Sequence, residues 1–349
     1  MTLKIKLEKL IKEFNINTTS TEELNLDDLL PTTKVFKARV DLWGDIYIID
    51  TIEGKEIACC PHIVDRQLEK LATIAAKEAI KVIDQIENLS NKKVVFEHVL
   101  RAAPGYKLDE AYKNLIGKNL FEVYVRPQYL KPSFRAHDEA DLKIIYEDFN
   151  QLPHCEKIFI LKPDTEATGR TGRLALQKAL EECKKRKTKI EKVILYGFIA
   201  YSGLKLISEF LKEKRIALSA YAIGNITPLA SNGYDMILYG VDESYYANYG
   251  KIKKLGAIVD RKTLESYITT YIPGLDQPGD WSARQHLILT EKNSYEENKN
   301  AIVAHLKNSI KIINKLRQIS NFSEWQEMIA ITELAKLEKT LRKYENSLP

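Results

Sequence analysis

The residues best suited to chemistry lie in one run, Ile158-Phe159-Ile160-Leu161-Lys162-Pro163-Asp164-Thr165-Glu166-Ala167-Thr168-Gly169-Arg170-Thr171-Gly172. Four apolar residues read as a buried strand. A polar loop follows, and a helix begins at once. Main-chain N–H groups in such a loop converge at a helix N-terminus, which carries roughly half a positive charge. Gly169 lets the backbone approach an anion closely. Thr168 and Thr171 add hydroxyl donors. The package suits a phosphate monoester, and Asp164 is placed to take sugar hydroxyls above it. Neither a GxxxxGK[ST] loop nor a GxGxxG fingerprint occurs in the chain. The plainer alternative is a tight strand-to-helix turn that uses Gly and Thr only for geometry.

The surrounding pattern must position this loop. Residues 1–33 read as helical, with Leu7, Leu10, Ile11 and Phe14 on one face. Ser20 and Glu23 have capping-box spacing and predict a second short helix ending near Pro31. Residues 34–290 alternate strands and helices. A hairpin is expected over Val35–Leu42 and Ile46–Asp50, a long helix over 64–88, and strands at Val94–Leu100, Phe121–Val125, Ile158–Leu161, Val193–Phe198, Leu218–Ile223 and Met236–Tyr239. Helices are expected near 108–116, 171–184 and 203–213. That alternation predicts a mostly parallel sheet covered on both faces. Ligands of such sheets bind beyond the C-terminal strand ends. Residues 291–349 return to helix. Ile302, Leu306, Ile310, Ile313, Leu316 and Ile319 form one apolar face, and Ser323 with Gln326 offers a capping box for a second helix.

Composition narrows the class. The chain has 349 residues, 44% hydrophobic and 29% charged, which excludes a disordered or collagen-like protein. No apolar stretch is long enough to span a membrane, and the N-terminus lacks the uncharged core of a secretory signal. Lys plus Arg is 53 against 48 Asp plus Glu, a net +5 that suits anionic small molecules as well as nucleic acid. Cys59, Cys60, Cys155 and Cys183 match neither a redox pair nor a zinc motif, so reduced thiols and a cytoplasmic location are expected. His62, His98, His154 and His305 show no metal-like spacing and read as structural or solvated. The basic run Lys184–Lys189 falls where a helix should end, and complementing the helix dipole explains it better than nucleic acid does. The Tyr245, Tyr246 and Tyr249 cluster reads as aromatic packing.

The run Pro163–Thr171 resembles the phosphoribosyl-pyrophosphate loop of type I phosphoribosyltransferases. Within that superfamily it is most similar to uracil phosphoribosyltransferase, whose loop reads Asp-Pro-Met-Leu-Ala-Thr-Gly-Gly-Ser. Three further segments resemble that family in the same order. Leu100-Arg101-Ala102-Ala103-Pro104-Gly105 is similar to its pyrophosphate loop, Leu-Arg-Ala-Gly-Leu-Gly. Tyr124-Val125-Arg126 with Leu130-Lys131-Pro132 is similar to its Tyr-Arg and Thr-Leu-Glu-Pro. Tyr271-Ile272-Pro273-Gly274-Leu275-Asp276-Gln277-Pro278-Gly279-Asp280 is similar to its uracil-binding segment. The matches span roughly residues 92–285. Pro163 and Asp164 stand in the reverse order of the family's Asp-Pro, and an insertion of about a dozen residues or more precedes Tyr271.

The resemblance implies a type I phosphoribosyltransferase-like α/β fold with N-terminal helices and a C-terminal hairpin. It implies transfer of 5-phosphoribosyl from phosphoribosyl pyrophosphate to a nitrogen of a uracil-like or related heterocyclic base, with release of pyrophosphate. Mg²⁺ is expected on the pyrophosphate rather than on a protein cage. Asp164, Arg101 and Arg126 would be catalytic, the two arginines clamping pyrophosphate. Ala167, Thr168, Gly169, Arg170 and Thr171 would hold the 5-phosphate. Tyr271, Ile272, Pro273 and Gly274 would line the base pocket, with Asp280 near the base or metal. Lys131, Arg135 and His137 would sit in a mobile lid. Plainer roles remain open for these: a surface ion pair for Arg101, a strand end for Arg126, ordinary loop polarity for the lid residues. The competing function is a regulator that senses phosphoribosyl pyrophosphate or a nucleotide without catalysis. A homodimer is expected, because the 302–319 face and the hairpin need partners; neither membrane nor nucleic-acid binding is expected.

Overall fold

A computed structural model describes residues 3–100, 103–118, 120–129, 141–289 and 295–346. Nine strands form one sheet: β1 (Thr21–Leu24), β2 (Lys34–Ala38), β3 (Asp45–Asp50), β4 (Val94–Val99), β5 (Phe121–Tyr129), β6 (Leu142–Asp148), β7 (Lys157–Pro163), β8 (Lys189–Ala200) and β9 (Ala217–Thr227). Their order is β1-β2-β3-β9-β8-β7-β4-β5-β6. The inner run from β3 to β5 is parallel, and β1, β2 and β6 close the edges antiparallel. The expected mostly parallel sheet flanked by helices is therefore present.

Ten helices complete the described chain: α1 (Leu3–Phe14), α2 (Ile52–Cys59), α3 (Asp65–Glu87), α4 (Leu108–Ile116), α5 (Arg170–Lys185), α6 (Tyr201–Lys214), α7 (Glu243–Tyr249), α8 (Arg261–Tyr267), α9 (Lys299–Ile319) and α10 (Glu324–Glu345). The chain leaves β4 through α4 toward β5 in one direction, and leaves β7 through α5 toward β8 in the other. Right-handed crossovers then put α4 and α5 on opposite faces. The two apolar clusters follow this division. One holds α3, α4 and the C-terminal helices through Leu68, Ala76, Ile83, Tyr112, Leu306 and Leu316. The other holds α5 and α6 through Leu176, Ala179, Leu204 and Leu211. Each fully buried Leu or Ile contributes roughly 1.5–3 kcal/mol over exposure. The strand order reverses between β4 and β7, and ligands of open α/β sheets bind beyond the C-terminal strand ends at such a switch point.

Two expectations change in detail. Ser20 does not cap a helix: its hydroxyl accepts from Asn17 Nδ2 at 2.8 Å, and Thr21–Leu24 pairs with β2 instead. The open edge of β2 offers that segment a full ladder of backbone partners, which a one-turn helix cannot match. The strand expected over Met236–Tyr239 is displaced to Tyr239–Val241, paired with Lys254–Gly256. The C-terminal hairpin is present, and its capping box is formed by Ser323 and Gln326. Its apolar face is spent on the body, with Ile302, Leu306, Ile313 and Leu316 all buried. The hairpin β2–β3 likewise pairs with β1 and β9. Both elements behind the homodimer expectation thus find partners within the chain. Among the described residues, no helix is long and apolar enough to cross a membrane.

Candidate phosphate site at the switch point

Loop 164–169 leaves β7 while still tied to β8. Asp164 N donates to Tyr196 O, Glu166 N to Phe198 O, and Ala200 N to Glu166 O, each at 2.9 Å. The chain then turns at Gly169, whose φ of +75° is left-handed, and α5 starts at Arg170. A Cβ on Gly169 would lie 2.6 Å from the Gly203 carbonyl oxygen at the start of α6. Glycine is needed here for both conformation and space. The first intrahelical bond of α5 runs from Arg173 N to Gly169 O. The N–H groups of Thr171 and Gly172 therefore precede the helical ladder, as anion-binding amides do. Ala167, Thr168, Arg170 and Thr171 are half-buried and so remain accessible. The sequence-predicted cradle is brought together at the helix N-terminus.

Beneath it lies a network the sequence analysis did not single out. Lys162 is fully buried at the end of β7, and its Nζ donates to Asp164 Oδ2 at 2.7 Å and to Glu166 Oε1 at 2.6 Å. Asp164 Oδ1 accepts from Thr165 N at 2.8 Å. Both Asp164 oxygens are thus engaged in holding the loop. Glu97 on β4 and Lys162 on β7 each lie one residue past the Phe96–Leu161 pair; Glu97 is fully buried, and neither carboxylate oxygen is hydrogen-bonded among the described residues. Burial pushes Glu97 up to about 7, aided by the Asp164 and Glu166 charges and opposed by Lys162. Burial also pushes Glu166 up to about 7 against the pull of Lys162. Burial works against the Lys162 ammonium, yet the three acids outweigh it and hold its pKa above the ordinary lysine value.

These shifts make a signed prediction. A raised carboxyl pKa means that the folded state binds more protons than the unfolded chain between the ordinary carboxyl range and about 7. Stability must fall as pH rises through that window. Glu97→Gln is expected to flatten the fall and to be more stable than the wild type at pH 8 by on the order of a few kcal/mol. Urea unfolding between pH 5 and 8 measures it; identical slopes would show that Glu97 does not titrate in the folded protein.

Tyr106 joins the neighbouring loops. After β4 the chain makes a one-turn 3₁₀ helix at Ala103–Tyr106. The Tyr106 hydroxyl accepts from Phe198 N at 3.2 Å and pairs with Thr165 Oγ1 at 2.6 Å. Its ring stacks on Trp281 at 4.6 Å between centroids. The 103–106 turn, the 164–169 loop and Trp281 therefore meet at one side chain. Tyr106→Phe strands a buried amide, so a loss of about 1–3 kcal/mol is expected in urea unfolding.

The remaining predicted residues fall as follows. Arg126 lies on β5 just past the pairing of Val99 with Val125, level with the loop after β4, and is 7% exposed. A register shift between Arg126 and Pro127 bends the strand there. Arg101, Lys131, Arg135 and His137 lie outside the described residues. Tyr271 and Ile272 are fully buried in the apolar core. The Tyr271 hydroxyl donates to Leu275 O and accepts from Leu238 N. Pro273 and Gly274 pack against Gly240, where a Cβ would lie 2.0 Å from Gly274 N. Asp280, with Asp276 and His305, lines a small cavity of about 70 Å³. The basic run ends α5 as expected, with Glu182 accepting from Lys185 and Arg186.

A second feature escaped the sequence. A cleft of about 350 Å³ opens beside the 103–106 turn, lined by His98, Lys107, Asp109, Glu122, Tyr124 and Gln285 among others. His98 stacks on Tyr124 and meets Glu122 at 3.2 Å. His98 and Lys113 hold the Glu122 carboxyl down to about 2. Its residues come from α3, β4, the 103–106 turn, α4, β5 and Gln285, Leu287 and Tyr295, so no local motif could have announced it.

No protein-family model matches the chain, and no curated protein matches it. Among solved structures, it is similar to a hypoxanthine phosphoribosyltransferase from Staphylococcus aureus, at 14% identity over 45% of this chain and 76% of that one, with a TM-score of 0.28. It is similar to adenine phosphoribosyl transferase from Trypanosoma brucei, solved with AMP, pyrophosphate and ribose-5-phosphate, at 10% identity over 51% and 83%, TM-score 0.34. An orotate phosphoribosyltransferase from Aeropyrum pernix gives 15% identity over 62% and 93%, TM-score 0.28. Likeness at this level assigns no residue role in this chain.

Proposed function

We propose that the protein transfers 5-phosphoribosyl from phosphoribosyl pyrophosphate to a nitrogen of a uracil-like or related heterocyclic base. The observation that supports this most is the left-handed Gly169 turn, which opens α5 at the β4/β7 switch point. Thr168, Gly169, Arg170 and Thr171 would take the 5-phosphate through amides and hydroxyls. Arg126 would face the pyrophosphate side, since its strand reaches the loop that follows β4. Trp281 and Tyr106 would exclude water from one wall.

Mg²⁺ fits this donor set as a substrate-borne ion. Asp164 is already committed to Lys162 and Thr165, so the loop offers no carboxylate cage. A hard cation that keeps its waters and binds phosphate oxygens suits such a site. When bound it would neutralise charge on the departing pyrophosphate. The chain's own part is to orient the ribose 5-phosphate and balance its charge.

One observation favours a second reading. Asp164 and Glu166 are both buried and paired with Lys162. A protein that binds phosphoribosyl pyrophosphate or a nucleotide to sense it needs no acid at the sugar. Incubation with phosphoribosyl pyrophosphate, Mg²⁺ and a panel of pyrimidines and related bases separates the two. Pyrophosphate release supports transfer. Tight calorimetric binding without release, with salt-sensitive DNA binding, supports sensing.

A further inference from the structure

We propose that Cys60, His62 and Glu333 form a Zn²⁺ site that clips the C-terminal hairpin to the body of the protein. Cys60 follows α2, His62 lies two residues on, and Glu333 comes from the middle of α10. One ligand atom from each, thiol sulfur, ring nitrogen and carboxylate oxygen, lies within 4.8 Å of the others. Donors around a tetrahedral Zn²⁺ sit roughly 3.5 Å apart, given bonds of about 2.0–2.3 Å. Rotamer adjustments of the order of an ångström would bring the three into place.

The chemistry of the donors selects the metal. A thiolate and an imidazole favour a borderline-soft cation over Mg²⁺ or Ca²⁺. Thiolate plus carboxylate supplies two negative charges, which balance the ion. Glu333 is 4% exposed, and among the described residues it pairs only with His62 and, at 3.9 Å, with exposed Lys336. Its buried charge therefore has room for a stronger partner. Binding would expel the thiol proton to solvent. The His62 side chain is 17% exposed, and a water would take the fourth position from that side.

The ligand loop is also held in advance. Arg284 is fully buried and donates to Cys60 O at 3.2 Å and to Ile63 O at 3.0 Å. His305 Nε2 donates to Pro61 O at 2.9 Å. The cluster shares no residue with the phosphate loop, so its role would be structural. The other close donor group, His98, Asp109 and Glu122, already contains Lys113 Nζ at 2.9 Å from Glu122, which occupies a cation's place.

The test uses the full chain, purified without a metal-binding tag, stripped with chelator and then dialysed against zinc. Elemental analysis should find about one zinc per chain in the wild type and in Cys155→Ser, and little in Cys60→Ser or His62→Ala. Zinc should raise the thermal midpoint of the wild type, and chelator should reverse the rise. Should the variants fail to fold, alkylation of the wild type decides: zinc should slow modification of Cys60 and leave exposed Cys155 unaffected. A wild type that retains no zinc, a Cys60→Ser variant that retains it fully, or a Cys60 thiol that zinc does not protect would each overturn the proposal.

Discussion

Lys162→Met is expected to cost about 3–5 kcal/mol of folding stability, the usual loss when one partner of a buried ion pair is removed. The substitution preserves length and apolar volume but withdraws the ammonium from Asp164 and Glu166, at 2.7 and 2.6 Å. Glu97, already without a hydrogen-bond partner, loses its nearest opposite charge. Burying unpaired carboxylates is costly, and protonating them relieves only part of that cost. Adding Asp164→Asn and Glu166→Gln to Lys162→Met should restore much of the loss, because the charges then disappear together. Urea unfolding at pH 7.5 of the three proteins is the measurement. A single variant within about 1 kcal/mol of the wild type, the range of an exposed ion pair, would show that the network contributes little.

Gly169→Ala is expected to weaken phosphoribosyl pyrophosphate binding about 100-fold or more, the loss of two charge-assisted hydrogen bonds. A left-handed φ of +75° costs a residue with a Cβ about 1–2 kcal/mol in strain. The new methyl would also lie 2.6 Å from the backbone oxygen of Gly203, so either the loop or the start of α6 must move. Gly117 provides the control. It has φ +67° with nothing within 4 Å of a built Cβ, so Gly117→Ala carries similar strain far from any crowding. Calorimetry with Mg²⁺ should show the loss in Gly169→Ala and unchanged affinity in Gly117→Ala. Circular dichroism should show both variants folded.

The strand–loop–helix at 157–185 was legible because its information is local. A strand, a Thr-Gly-x-Thr turn and a helix start are contiguous in the chain, and the helix boundaries at 170 and 185 fall within a residue of expectation. The parallel sheet was legible for the same reason, since apolar strands and amphipathic helices alternate. Lys162 was not, because it reads as the polar end of an apolar strand. Its meaning depends on Glu97, which only the β4–β7 pairing brings alongside. Ser20 and Glu23 carried a real local signal that a sheet edge overrode. Glu333 is separated from Cys60 and His62 by most of the chain, and no spacing rule joins it to them. In the 271–280 segment the residue types were legible but their packing was not: the fold buries Tyr271 and Ile272 in the core and stacks Trp281, the next residue on, against Tyr106.

The central claim is that amides around Gly169 hold the terminal phosphate of a sugar. The most direct measurement is a titration of the protein into ribose 5-phosphate followed by ³¹P NMR, with Thr168→Val as the comparison. The wild type should shift or broaden the phosphate resonance saturably, and the variant should need about tenfold more protein or higher, as expected for a lost hydroxyl contact to a charged group. A resonance that the wild type leaves unperturbed, or one that both proteins perturb with the same affinity, would contradict the claim.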